Sequence, residues 1–340
     1  MVTGGAGYVG SHAVLALLDA GWPVVVIDDL SAGFAWAVDP RAHLVVADIA
    51  DEQAVQQAMR DHRVFAVMHF AGSVIVPDSV QDPLGYYRNN FAASRALVES
   101  VIACGVRHFL FSSTAAVYGI PRQVPIPEAS AQDPINPYGR SKLMTEWMLR
   151  DIAAAADINY CALRYFNVAG ADPRGRSGQS TAGATHLIKI AAEAAAGKRS
   201  HVSIYGTDYA TADGTGVRDY IHVSDLAAAH VAALDLLIAR PADNHVLNCG
   251  YGRGFSVREV LDVVDRVAGG RIDRREAPRR PGDPDTLVAD NRLMLATLGW
   301  RPRYDDLERI VRDALSWERR LTPTGWAGPR EPRAEQALFA

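Results

Sequence analysis

Residues 1–30 read MVTGGAGYVGSHAVLALLDAGWPVVVIDDL, and the succession of patterns in them decides the fold. A glycine-rich turn (Gly4, Gly7, Gly10) leads into apolar residues at helical spacing (Ala13, Leu15, Leu17, Leu18); Gly21 interrupts them, and an apolar run follows at 24–27. That is strand, turn, helix, strand. Few residues precede Gly4, so strand 1 is expected to be truncated or the natural start to lie upstream. Similar runs recur at 43–47, 65–69 and 109–112, separated by amphipathic segments of helical length at 51–60 and 92–104. Strands alternating with helices at this spacing predict βαβ units and a doubly wound parallel α/β sheet.

The three glycines occupy a predicted strand-to-helix turn, where positions without side chains let backbone N–H groups approach a pyrophosphate at the positive end of the helix. Asp28 ends the second strand, at the separation where a carboxylate accepts from a ribose hydroxyl. Asp28 and Asp29 would repel a 2′-phosphate and no arginine stands adjacent, so NAD is favoured over NADP. A Rossmann-like domain is therefore expected over 1–168, with 217–240, a strand-like IHV followed by an Ala/Leu helix, rejoining it. Between these, the Gly/Ser/Asp-rich 171–184 and an Ala-rich helix at 187–196 open a smaller C-terminal α/β lobe, interleaved over 169–321. The remainder, 322–340, lacks an apolar face and is expected to be a flexible tail.

Composition narrows the function classes. The chain has 340 residues, 49% hydrophobic and 22% charged, with 35 Lys+Arg against 39 Asp+Glu and a net charge of -4. That profile fits a globular protein and lacks the basic surplus of a nucleic-acid binder. The three cysteines are too few and scattered for a disulfide framework or metal cluster. No secretory pattern and no apolar run of spanning length occur, which predicts a cytoplasmic protein without membrane attachment. His12, His43, His69, His186, His201, His222 and His230 show no paired-ligand spacing, and structural roles are expected for nearly all of them.

Tyr138 and Lys142 stand i, i+4 within PYGRSK, followed by helix-forming sequence, so both should project from one helical face. Upstream, FSSTAAVYG at 111–119 places Ser112, Ser113 and Thr114 just past a predicted strand end, where open parallel sheets keep their ligand crevice. A phenol with pKa near ~10 is a poor base, but an adjacent ammonium and a positive nicotinamide favour the phenolate. Tyr138 would then take a proton from a substrate hydroxyl, Thr114 would hydrogen-bond that oxygen, and Lys142 would also hold the nicotinamide ribose. The set reads as an alcohol oxidant.

GGAGYVG, Asp28, HFAG (69–72), SSTAAVYG (112–119), PYGRSK (137–142) and RYFN (164–167) resemble the extended short-chain dehydrogenase/reductase superfamily. Three further stretches, YGTDYATADGTGVRDYIHVSDLA (205–227), DSVQDPLGYYRNN (78–90) and APRRPGD (277–283), resemble the UDP-glucose 4-epimerase (UDP-galactose 4-epimerase) family to about residue 320. The resemblance implies a place in galactose metabolism and a tightly held NAD that takes hydride from sugar carbon 4 and returns it to the opposite face of a 4-keto intermediate. It implies that Tyr8, Val9, Asp48, Ile49, Phe70, Ala71, Gly72, Asn89, Ser112 and Tyr165 line the cofactor. It further implies that Asn167, His186, Leu187, Ser203, Tyr205, Arg218, Tyr220, Arg280 and Asp283 hold the UDP-hexose, with Arg218 and Arg280 facing its diphosphate. Val74 and Thr114 depart from the family pattern, the latter keeping its hydroxyl. Leu287, expected beside the sugar 2-substituent, is expected to leave room for N-acetylated sugars.

The resemblance also implies a homodimer through helices at 92–104 and 142–156. Other UDP-sugar enzymes stay open at this stage, pentose and uronate epimerases among them. A 4,6-dehydratase is disfavoured, because Ala115 and Ala116 stand where proton carriers are needed. A non-catalytic dinucleotide sensor is disfavoured by the intact Tyr138–Lys142 pair.

Overall fold

The structure, a computed structural model, describes residues 1–322 other than 182 and 281, together with the backbone of 325–326. The first lobe runs β1 (Val2–Thr3), α1 (Tyr8–Asp19), β2 (Val25–Asp28), β3 (His43–Val46), α2 (Glu52–Asp61) and β4 (Ala66–His69). Two short helices, α3 (Val76–Gln81) and α4 (Pro83–Tyr86), and a π-helical turn (Tyr87–Ala92) lead into α5 (Ala93–Ala103). β5 (His108–Thr114), α6 (Pro137–Ala153) and β6 (Asn159–Tyr165) follow.

Alternation of side chains along the strands builds a core on each face of the sheet. Val26, Met68, Leu110 and Leu163 pack toward α1 on one side, while Ile27, Val67, Phe109, Phe111 and Ala162 pack toward α2, α5 and α6 on the other. β1 is short, as its few preceding residues predict, yet it pairs with both β2 and β4 and occupies the middle of the sheet. The terminal ammonium of Met1 continues the line, donating to the Ala66 carbonyl at 2.8 Å.

In the second lobe β7 (Asn167–Ala169) precedes α7 (Leu187–Ala195), β8 (Val202–Tyr205), β9 (Val217–His222), α8 (Val223–Ala239) and β10 (His245–Cys249). β11 (Gly254–Ser256), α9 (Val257–Ala268), β12 (Arg274–Ala277), β13 (Thr286–Leu287), α10 (Arg292–Leu298) and α11 (Leu307–Glu318) complete it. The expectation that 217–240 rejoins the first sheet needs correcting. Strand β9 is the centre of the small sheet: its first half, 217–219, pairs with β11 and β13, and its second half, 220–222, pairs with β7, so its backbone pairing is taken up within the small sheet. Only α8 returns, packing beside α1, and the following β10 extends the main sheet by pairing parallel with β6. The main sheet is thus seven-stranded, in the order β10-β6-β5-β4-β1-β2-β3. Order reverses at β1, and the carboxyl ends of β1 and β4 frame the ligand crevice of such a sheet.

The expected tail at 322–340 begins differently: β14 (Leu321–Thr322) pairs antiparallel with β15 (Gly325–Trp326), and the rest lies outside the described residues. Among the described residues no helix is long and apolar enough to cross a membrane.

His69 locks the middle of this architecture. Its Nδ1 lies 2.7 Å from Thr3 Oγ1 and its Nε2 lies 2.8 Å from Ser94 Oγ, joining β4 to β1 and α5. Burial lowers its pKa to about 3, and lowers those of His12 and His230 to about 4. The unfolded chain binds protons at these imidazoles below about pH 6.5, whereas the folded chain does so only some units lower. Stability should therefore be complete above 6.5 and fall as pH drops toward 4, by up to ~1.4 kcal/mol per unit for each imidazole. Asp219, raised to about 6 by its own burial, gains stability on protonation and offsets one of the three over part of that window. Urea midpoints measured at pH 7 and pH 5 test this; equal midpoints would refute it.

Candidate active site

Gly4 turns the chain out of β1 at φ 66°, a left-handed conformation that costs glycine nothing. A Cβ there would lie 2.6 Å from the backbone nitrogen of Ala71, so the segment Phe70, Ala71, Gly72 leaving β4 lies against the turn. A Cβ on Gly10 would run into the Gly4 carbonyl. Gly7 begins α1 with no capping side chain, leaving the first-turn N–H groups of Tyr8, Val9 and Gly10 without intrahelical acceptors. A bare helix start over a close glycine turn fits a diphosphate. Asp28 Oδ2 accepts from Ala6 N and Oδ1 from Leu30 N, both at 2.9 Å, and each oxygen keeps capacity for a ribose hydroxyl. Burial raises its pKa. Asp29 is spent on Ser31, Asp48 is exposed and accepts from Ala50 N at 2.8 Å, and Ile49 is buried in the core below.

Helix α6 starts where Asn136 Oδ1 accepts from Gly139 N at 2.8 Å and Pro137 occupies the first turn, which fixes Tyr138 and Lys142 one turn apart. Both are buried, at 9% and 2% exposure. Thr114 is the last residue of β5, not one beyond it; its hydroxyl accepts from Ala116 N at 3.1 Å and is near enough to Tyr138 to favour the phenolate. Lys142 Nζ donates to the Ser112 carbonyl at 3.0 Å, and the Ser112 hydroxyl meets the Tyr165 hydroxyl. A Cβ on Gly72 would stand 3.7 Å from Lys142 Nζ. Gly72, Ser112, Thr114, Tyr138, Lys142 and Tyr165 thus converge at the carboxyl ends of β4, β5 and β6.

The electrostatics differ from the sequence expectation. Burial raises the Tyr138 pKa, opposed by the nearby Thr114 hydroxyl, and burial also draws Lys142 down to about 8. The ammonium points to the Ser112 carbonyl, so the protein alone keeps the phenol protonated at neutral pH.

Sequence reasoning missed what holds α6. Glu146, one turn beyond Lys142, receives Arg164 Nε at 2.9 Å and Nη2 at 2.5 Å, together with the Ser113 hydroxyl. Arg164 Nη1 also donates to Tyr118 at 2.9 Å. Asn90 is the second omission. Its amide receives Ser73 N at 2.7 Å and donates to Ser73 O at 3.0 Å and Ser141 Oγ at 3.2 Å, joining the segment after β4 to α6. Its exposed neighbour Asn89 donates to Ser73 Oγ at 2.8 Å. The π-helical turn carrying both is irregular backbone of the kind enriched at functional sites, but two adjacent asparagines give no sign of which one is buried.

The second lobe contributes less uniformly. Tyr8 Oη donates to the Gly170 carbonyl at 2.7 Å, bringing α1 against the chain beyond β7. Asn167 pairs in register with Tyr220, which is buried. His186, its pKa lowered by burial, lies 3.0 Å from Gln179 Nε2 and leads into Leu187, the first residue of α7. Ser203 is in β8 beside Arg275. Arg218 and Arg280 are each engaged within the protein. Arg218 Nη2 donates to Asp283 Oδ1 at 2.5 Å and Pro284 O at 2.7 Å, whereas Arg280 lies 4.0 Å over the Tyr205 ring. Leu287 is in register with Arg218 on the neighbouring strand and packs against the cluster of Leu143, Phe166 and Tyr118 beside α6.

A family model described as the NAD dependent epimerase/dehydratase family matches residues 1–250. The chain belongs to this family. UDP-glucose 4-epimerase of Azospirillum brasilense is 56% identical over 329 residues, covering 96% of this chain and 94% of that protein. The crystal structure of UDP-glucose 4-epimerase from Brucella ovis in complex with NAD is similar at TM-score 0.90 and 43% identity, over 94% of this chain and 97% of that one. The UDP-Glc/GlcNAc 4-epimerase from Campylobacter jejuni is similar at TM-score 0.82 and 45% identity, over 93% and 98%. The stretch matched to the NAD dependent epimerase/dehydratase family contains the glycine-rich turn, Thr114, Tyr138, Lys142 and Arg218; Arg280, Asp283 and Leu287 lie beyond it.

Proposed function

We propose that the protein interconverts UDP-glucose and UDP-galactose with NAD as its cofactor, oxidising the sugar at carbon 4 and reducing the ketone from its other face. One observation carries this reading: buried Tyr138 beside Thr114, one helical turn from buried Lys142, at the strand ends beside the glycine-rich turn. The phenolic oxygen of Tyr138 takes the proton of the sugar 4-hydroxyl and later returns it, while Thr114 hydrogen-bonds the oxygen whose charge changes. NAD, when bound, supplies reversible hydride acceptance and a positive ring that favours the phenolate. Lys142 holds a ribose hydroxyl, the first turn of α1 holds the diphosphate, and Asp28 holds the other ribose. Arg218 exchanges Asp283 for phosphate oxygens and acts with Arg280 on the UDP, lined by Asn167, His186, Leu187, Ser203, Tyr205 and Tyr220. No net oxidation results.

Relatives named UDP-glucose 4-epimerase that align over nearly the whole chain support this, and Ala115 and Ala116 in the short turn after Thr114 offer no acid for a dehydratase. Purified protein given UDP-galactose and no added dinucleotide should form UDP-glucose; binding without turnover would mark a sensor instead. In the same panel, Leu287 is smaller than an aromatic side chain and should let UDP-N-acetylglucosamine turn over at a rate comparable to UDP-glucose. A several-hundredfold preference for UDP-glucose would end that part of the reading.

A homodimer through α5 and α6 belongs to the same proposal, supported by Ile102 and Trp147, which are 43% and 46% exposed on those helices. A cytoplasmic location is supported by the three free cysteines.

A further inference from the structure

The segment after β2 folds back over the glycine-rich turn. Phe34 N donates to Ala6 O at 3.0 Å, and Gly33 presses so close that a Cβ there would stand 2.8 Å from the Ala6 Cβ. Ala6 is the residue whose N–H holds Asp28, so this segment flanks the side of the crevice where Asp28 stands. It then makes one 3₁₀ turn, Ala35–Ala37, that presents Trp36 to the second lobe. The Trp36 ring lies 5.1 Å from Phe34 at 26° and 6.3 Å from Trp317 at 29°, an offset stack of three aromatics.

Trp317 is a fixed anchor. It is 1% exposed on α11, its indole N–H donates to Ser180 Oγ at 3.2 Å, and its ring lies against Gly178, where any Cβ would collide with it. The same stretch is bound along α1. Ser177 Oγ lies 2.7 Å from Ser11 Oγ, and Arg176 Nη1 reaches Asp19 Oδ2 at 3.0 Å. One end of this stretch is therefore joined to the cofactor helix, and the indole of Trp317 joins it to the segment over the glycine turn.

We propose that Trp36 is a positioning residue for dinucleotide retention: stacked on Trp317, it holds the segment from Asp29 to Val38 closed over the glycine-rich turn and slows the escape of bound NAD. The proposal rests on the reading of the function above. Ala37 of that segment is buried and Val38 packs on the core of the first lobe, whereas among the described residues Trp36 meets the second lobe at Trp317, so opening toward solvent requires breaking this stack.

The test uses holoprotein as purified. NAD is followed by nucleotide analysis of protein separated at intervals from free ligand, for wild type, Trp36→Ala and Trp36→Phe. Trp36→Ala should release NAD about tenfold faster, the loss expected for one stacked pair, with the thermal midpoint and the kcat at saturating added NAD near wild type. Trp36→Phe should restore most of the retention. Release from Trp36→Ala at the wild-type rate overturns the proposal and leaves the proposed function standing. Wild-type protein that neither carries nor takes up NAD overturns the proposed function, and the retention role with it.

Discussion

Tyr138→Phe is expected to lower kcat for UDP-galactose by about a thousandfold or more, while the purified protein still carries NAD. The size follows from general acid–base catalysis, which contributes roughly 10²–10⁴-fold when the proton carrier is well placed. The ring of the variant fills the same space beside Thr114, so the crevice and the glycine-rich turn are undisturbed and only the phenolic O–H is lost. The pH profile separates this role from simple positioning. Burial raises the Tyr138 pKa in the protein alone and a bound nicotinamide ring would favour the phenolate, so the wild-type rate should climb with pH as the Tyr138 hydroxyl ionises. The ammonium of Lys142 is lost as pH passes about 8, which limits that climb from above. The residual rate of the variant should lack the rising limb. Turnover retained within a fewfold of wild type would remove Tyr138 from its proposed role.

The second large effect lies beneath the site. Arg164 and Glu146 are 3% and 4% exposed and form a forked pair that ties α6 to β6. Arg164→Met would leave the Glu146 carboxylate buried against Ser113 without its cation, a loss of about 3–5 kcal/mol for a broken buried pair. Glu146→Leu combined with Arg164→Met removes both charges and should recover much of that loss, since the pair pays heavily for desolvation. Denaturant titration of the two variants checks the ordering. A double variant no more stable than Arg164→Met would show that the network is held by something other than charge pairing. Because α6 carries Tyr138 and Lys142, the single variant should also lose activity, and the double variant should regain less activity than stability: its helix is packed but no longer pinned by directional bonds.

Much of the site could be read along the chain because its determinants are local. The spacing of Gly4, Gly7 and Gly10 before an apolar helical stretch specifies a close turn under a helix start, and i, i+4 spacing puts Tyr138 and Lys142 on one face wherever the helix sits. Strand β2 and strand β4 were evident as short apolar runs, each buried on both faces. What could not be read depends on partners far away in sequence. Asn89 and Asn90 both reach Ser73, but only Asn90 is buried and also reaches Ser141, and Glu146 becomes a buried anchor only because Arg164 arrives from β6.

The sequence by itself determined a parallel α/β sheet, a dinucleotide-type turn and a tyrosine–lysine pair, since periodicity, glycine geometry and helix spacing act within a few residues. Tertiary structure decided that β9 builds the small sheet while β10 completes the large one, that Arg218 rests on Asp283, and that Tyr138 is raised by burial. Each of these is settled by hydrogen-bond pairing, charge pairing or desolvation between segments that meet only when the chain has folded, and no local pattern encodes the energy of such a meeting.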